Sequence, residues 1–176
     1  MRPLVPFWIL LSLGSAHAQT GSPNPLPPTP MQTITRLVLS ASQQVVVFAP
    51  VMRQFELADA LRRVMVERKV KVYLLTLLGS VNDSGSFFAP LTLAGAVSMS
   101  ANIQGGLDAQ PFLVVDNQAV MQGRLITLPE PPGITYKVSL SRDPVLIAKL
   151  MDWYVKTSKV ATHVNKSDVI LRYYVK

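Results

Sequence analysis

The sequence predicts an α/β domain built on a mixed, mostly parallel sheet flanked by helices. Three observations carry this prediction. Gln43–Met52, QQVVVFAPVM, holds a dense β-branched run broken at Pro50, the pattern of a strand covered on both faces. Phe55–Lys69, FELADALRRVMVERK, puts Leu57, Leu61 and Val64 on one helical face with Ala58, Ala60 and Met65 beside it. Arg62, Arg63, Glu67 and Arg68 fall mostly on the other side. Val70–Leu78, VKVYLLTLL, is a second apolar run of strand length. Strand, helix and strand within about 35 residues form a right-handed βαβ unit, which makes the two strands parallel.

Ahead of this unit the chain reads differently. Residues 1–18, MRPLVPFWILLSLGSAHA, place one positive charge at Arg2, an apolar stretch from Leu4 to Leu13, and Ala16-His17-Ala18 at the end. That is the plan of a secretory signal peptide cut after Ala18, and the apolar stretch is too short for a bilayer span. The expected location is secreted or periplasmic. Residues 19–32 are expected to be a linker: five prolines between Gln19 and Pro30 block a helix and favour an extended, solvated strip. Residues 33–176 are then one domain, long enough to build its own core, with no later segment apolar enough to cross a membrane.

After the βαβ unit, GSVNDSGS (Gly79–Ser86) is a loop by composition. FFAPLTLAG suggests a short helix and AVSMSANI a strand. PFLVVD and AVMQGRLIT are expected to pair as strands about a turn at Asn117-Gln118. PEPPG interrupts the chain, and TYKVSLS alternates as an edge strand does. Asp143 is a good N-cap and Pro144 a good first helical residue, and Ile147, Leu150, Met151 and Tyr154 then recur at helical spacing. The tail SDVILRYYVK is expected to form a last strand.

Composition removes many chemistries. Cysteine is absent, so thiolate metal sites and cysteine nucleophiles are excluded, and the core stands without disulfides. Loss of the signal peptide removes His17 and leaves His163 as the one histidine. A serine–histidine triad or a multi-histidine metal site would have to be built around that single imidazole. Removing Arg2 takes the formal charge from +7 to +6. That excess suits a polyanion such as DNA, anionic lipid or another anionic polymer of the cell wall, and equally suits plain solubility.

The order of elements, from ELADALRRVMVERKVKVYLL through AGAVSMS, a strand ending in Asp116 and VMQG, to DPVLIAKLMDWYV, resembles one half of the phospholipase D-like phosphodiesterase fold. The likeness runs from about Gln43 to Tyr154. In that family the signature is histidine, any residue, lysine, four residues, aspartate, then a glycine followed by a small polar residue. The resemblance implies a histidine that takes the phosphoryl group and a lysine that holds it. Aligned on Asp116, those two positions are Ala109 and Pro111; Gly123 matches the later glycine and Arg124 stands where the small residue would be. The methyl of Ala109 has no lone pair with which to attack phosphorus. Pro111 has neither charge nor a backbone N–H with which to hold a phosphate. No shift of register restores the site, because no histidine lies between Gly21 and Thr162. His163 and Lys166 are three apart, not two.

The residues that match the signature have bland readings beside sharper ones. Asp116 precedes Asn117 and can accept backbone N–H bonds in a turn. Gly123 permits a close approach or a bulge. Arg124 can clamp a phosphate at two points or pair with Asp116. Arg62, Arg63, Arg68 and Lys69 form a basic stretch along which a polyanion could lie, or simply a solvated helix face. Asp83, Asp108 and Asp116 lack the spacing of a calcium loop, and GGLD lacks the lysine of a phosphate loop. No metal or cofactor is expected. Aromatics are few, so a stacking platform for bases has little support. The leading expectation is an exported, catalytically inactive phospholipase D-like module that binds DNA or another phosphate-rich polymer. The resemblance also implies a homodimer whose halves face across the site. A phosphodiesterase with an atypical residue set and an envelope structural protein are the alternatives.

Overall fold

A computed structural model describes residues 28–104 and 109–174. The proposed signal peptide, most of the proposed linker, and Asp108 with the rest of GGLD lie outside the described residues. The chain folds as three layers, with a seven-stranded mixed sheet between helices on both faces. The elements run α1 (Pro30–Leu39), β1 (Gln44–Phe48), α2 (Phe55–Arg68), β2 (Lys71–Leu77), α3 (Phe88–Ala94), β3 (Val97–Ala101), β4 (Phe112–Val115), β5 (Ala119–Gln122), β6 (Ser139–Ser141), α4 (Pro144–Val160), β7 (Thr162–Val164) and α5 (Lys166–Tyr174).

The sheet order is β6-β5-β4-β1-β2-β3-β7. Its centre, β1-β2-β3, is parallel. The outer pairings β1–β4, β4–β5, β5–β6 and β3–β7 are antiparallel. The βαβ unit therefore stands as expected, and TYKVSLS supplies the edge strand β6. One face of the sheet packs against α1, α2, α3 and α5, where Ile34, Val38, Leu57, Leu61 and Val64 are fully buried. Among the described residues the other face meets α4, through Ile147 and Tyr154 lying over Val46, Phe48, Leu75 and Phe112. Asp143 caps α4 by accepting from the Val145 N–H at 2.9 Å, with Pro144 in the first turn.

Four local expectations change. A helix, α1, begins at Pro30 inside the proline-rich stretch. Thr29 and Gln32 form a reciprocal capping box, with the Gln32 N–H donating to Thr29 Oγ1 at 3.2 Å and the Thr29 N–H to Gln32 Oε1 at 3.1 Å. The tail is not a strand but the helix α5. Its start is fixed by a second reciprocal box between Asn165 and Asp168, at 2.9 and 3.0 Å, which outweighs the strand preference of its β-branched and aromatic residues. The last strand is instead the three residues at His163. Finally, the segment after Gln122 does not continue as a strand: residues 124–126 form a 3₁₀ turn.

The β4–β5 turn is centred on Asp116 and Asn117 instead of Asn117 and Gln118. Both residues have positive φ, at 50° and 56°, and the Gln118 N–H donates to the Val115 carbonyl at 2.9 Å. Val115 pairs with Ala119, so the loop is the three residues Asp116, Asn117 and Gln118, and aspartate and asparagine tolerate the left-handed conformation that its first two positions need.

Candidate functional site

β1 and β2 run parallel and end side by side, and β4 begins beside the end of β1, because Phe48 pairs with Phe112. In open α/β sheets the space beyond the carboxyl ends of parallel strands is where ligands collect. Here that space is a cleft of about 720 Å³, within the size range of small-ligand sites, about 300–1,000 Å³.

The cleft brings together Ala109, Pro111, Gly123 and Arg124, residues up to 15 positions apart in the chain. Arg53 and Asp83 also line it. Ala109 is half-buried and Pro111 buried. Pro111 still takes part in the backbone, since its carbonyl accepts the Gly123 N–H at 3.2 Å. At Gly123, φ is +147°, and an added Cβ would lie 2.5 Å from the Lys137 carbonyl oxygen. The glycine is required by the close approach of the strand leading into β6.

Thr127 ties the two arginines to one frame. Its N–H and its hydroxyl donate to the Arg124 carbonyl, at 2.9 and 2.7 Å, while its own carbonyl accepts the Arg53 N–H at 2.7 Å. The Arg53 guanidinium is oriented by Asp83, with Nε and Nη2 at 2.9 and 2.7 Å from the same carboxylate oxygen. Among the described residues the lining carries two guanidiniums and one carboxylate. Both guanidiniums belong to exposed residues at the rim. Arg53 was not singled out from the sequence, although its place just beyond the carboxyl end of a parallel strand is a usable signal.

Asp116 is elsewhere. Five residues of extended chain separate it from Pro111, about 17 Å, at the opposite end of β4. Its carboxylate accepts four bonds from the start of β1: from the Ser42 N–H at 2.8 Å, the Ser42 hydroxyl at 2.9 Å, and the Gln43 and Gln44 N–H groups at 2.9 Å each. Burial works to raise its pKa, but the Gln44, Ser42 and Gln43 backbone donors and the Ser42 hydroxyl together hold it below the ordinary aspartate value. The bonds reach across to a distant segment and not within its own turn. An Arg124–Asp116 pair, the alternative open from the sequence, is ruled out by this placement.

His163 lies on β7, paired with Met99 of β3. Four strand spacings separate β7 from β4, about 19 Å, and His163 does not line the cleft. The basic stretch of α2 is also remote, since α2 runs back toward the amino end of β2. Arg62 pairs with Asp59 at 2.9 Å and Arg63 with Glu67 at 3.6 Å; Arg68 donates to the Leu39 carbonyl. Lys69 ends the helix in the left-handed conformation, φ 59°. Asp83 serves Arg53, and no group of three or more metal-ligating side chains exists among the described residues. No helix among them is long and apolar enough to cross a membrane.

A second groove, of about 710 Å³, adjoins the cleft and shares Ala109 and Gln110 with it. Its wall is aromatic. The Trp153 ring stands 5.0 Å from Phe48 and 5.6 Å from Phe112, tilted by 56° and 74°.

No protein-family model and no curated protein matches the sequence. Solved structures do match. A phospholipase D family member, Nuc from Salmonella typhimurium, superposes with a TM-score of 0.65 at 13% identity, over 76% of this chain and 89% of that one. NucT from Helicobacter pylori gives 0.60 at 17% identity, over 76% and 90%. The archaeal chromatin protein TrmBL2, whose structure shows a novel mode of DNA binding, gives 0.50 at 13% identity, over 75% of this chain but only half of that one. Together with the sheet order and the flanking helices, these likenesses show that the chain has the phospholipase D-like fold.

Proposed function

We propose that this protein is a phosphate-binding module of phospholipase D-like fold that holds a nucleic acid or a similar polyanion without cleaving it. One observation supports this reading above the others. The cleft at the carboxyl ends of β1 and β2 carries Arg53 and Arg124, while the positions that the resemblance gives to the nucleophile and its lysine carry Ala109 and Pro111. Guanidiniums can grip phosphate oxygens at two points. A methyl group and a pyrrolidine ring can neither attack phosphorus nor protonate a leaving group. The DNA-binding chromatin protein of similar fold makes nucleic acid the first polyanion to test.

The module is exported after cleavage at Ala18, and it pairs with a second copy across the cleft. N-terminal sequencing of the secreted or periplasmic form checks the first statement. The native mass in solution checks the second.

The deciding experiment incubates the protein with a labelled oligonucleotide and follows retention and product length together. The expected result is retention with no shortened product. Arg53→Ala with Arg124→Ala should weaken retention about tenfold, as expected for two charge-assisted contacts. Shortened product that disappears in His163→Ala would overturn the proposal in favour of an enzyme.

A further inference from the structure

The aromatic groove beside the cleft contradicts what composition suggested. Aromatics are sparse in the chain, yet folding gathers Phe48, Phe112 and Trp153, from β1, β4 and α4, into one wall. Phe48 and Phe112 are 1% and 2% exposed, whereas Trp153 is half-buried. The accessible ring is thus the indole, held in place by two buried phenyl rings. Around it stand the amides of Asn102, Gln104, Gln110 and Gln122, each able both to donate and to accept a hydrogen bond. Lys156 stands at the edge, paired with Asp152 at 2.7 Å. A stacking surface ringed by amides and open to a cationic cleft fits a planar, hydrogen-bonding ring attached to a phosphate.

We infer that this groove takes an unpaired nucleobase while the neighbouring cleft takes its phosphate, so that the preferred ligand is single-stranded nucleic acid. This rests on the phosphate reading of the cleft and adds the ligand class to it. Two shared residues, Ala109 and Gln110, line both spaces, so one nucleotide can reach across. A paired base, stacked within a duplex, cannot enter a groove of this kind, whereas bases of single strands stack readily on exposed aromatic side chains.

The test compares a single-stranded oligonucleotide with an abasic strand of the same number of phosphates. The chain has two tryptophans, so the full-length Trp8→Phe protein leaves Trp153 as the only indole to report. The intact strand should quench its fluorescence and bind about tenfold more tightly than the abasic strand, the effect of one stacked base. Trp153→Ala, measured by retention, should erase that difference while leaving abasic binding unchanged. Trp153→Phe, which keeps a ring in the wall, should retain most of the difference. Gln110→Ala, at an exposed position, tests the groove without disturbing the core and should reduce the intact-strand advantage about threefold. Equal binding of intact and abasic strands would overturn the inference and leave the phosphate reading standing. Duplex binding as tight as single-strand binding would also overturn it. Binding of neither strand would remove both.

Discussion

At one end of the β4–β5 hairpin, Asp116 accepts four hydrogen bonds from Ser42, Gln43 and Gln44 and fixes the turn to the start of β1. At the other end, Ala109 and Pro111 face a cleft with two arginines at its rim. Both ends carry positions of one phosphodiesterase-like signature. The aspartate and the glycine that match it have structural work to do: Asp116 satisfies three backbone donors, and Gly123 admits the strand that leads into β6. The two positions that the resemblance gives to the nucleophile and its lysine carry a methyl group and a pyrrolidine ring. A residue that matches a catalytic signature can thus serve the scaffold, as the hydrogen bonds of Asp116 show.

This contrast can be broken by substitution. The largest effect is expected at Gly123. Gly123→Ala forces a Cβ to within 2.5 Å of the Lys137 carbonyl at a positive φ, and should cost about 3 kcal/mol of stability in denaturant unfolding. Asp116→Ala leaves three backbone N–H groups without their acceptor and should cost about 2 kcal/mol. A loss under about 0.5 kcal/mol would show that the bonds at this end do not fix the hairpin.

The same aspartate predicts a pH response. Its folded pKa is lowered, so its contribution is fully present above the ordinary value of 3.8 and is lost as pH falls through the folded value. Asp116→Asn should be less stable than the parent at neutral pH, and its stability should vary less between about pH 5 and about pH 2. Urea titrations across that range check it. The smallest effect is expected at the cleft. Ala109→Ser, at a half-buried position without a hydrogen-bonding task, should change stability by less than about 0.5 kcal/mol.

Much of this architecture was legible in the residues. Uninterrupted apolar runs marked β1 and β2, the α2 face was set by Leu57, Leu61 and Val64, and Asp143-Pro144 located the start of α4. What was misread turns on short-range polar bonds. Thr29 with Gln32 and Asn165 with Asp168 are capping pairs three residues apart that nucleate α1 and α5, and both were hidden by louder neighbours, prolines in one case and β-branched residues in the other. At the site, Ala109, Pro111, Gly123 and Arg124 were found through the spacing of the signature. Arg53 and the Phe48–Phe112–Trp153 wall were not, because residues on separate elements meet only once the register of β1 against β4 and the packing of α4 are known. The basic run at Arg62–Lys69 was conspicuous in sequence; it lies away from the cleft, with Arg62 and Arg63 paired to Asp59 and Glu67 and Arg68 donating to the Leu39 carbonyl.

The central claim is that Arg53 and Arg124 grip phosphates in this cleft, and the salt dependence of binding tests it most directly. For a single-stranded oligonucleotide, the logarithm of the binding constant should fall linearly with the logarithm of salt concentration. The Arg53→Ala, Arg124→Ala protein should show a slope shallower by about 1.4, the share of two phosphate contacts. An unchanged slope in that variant, or binding that ignores salt in the parent, would contradict the account.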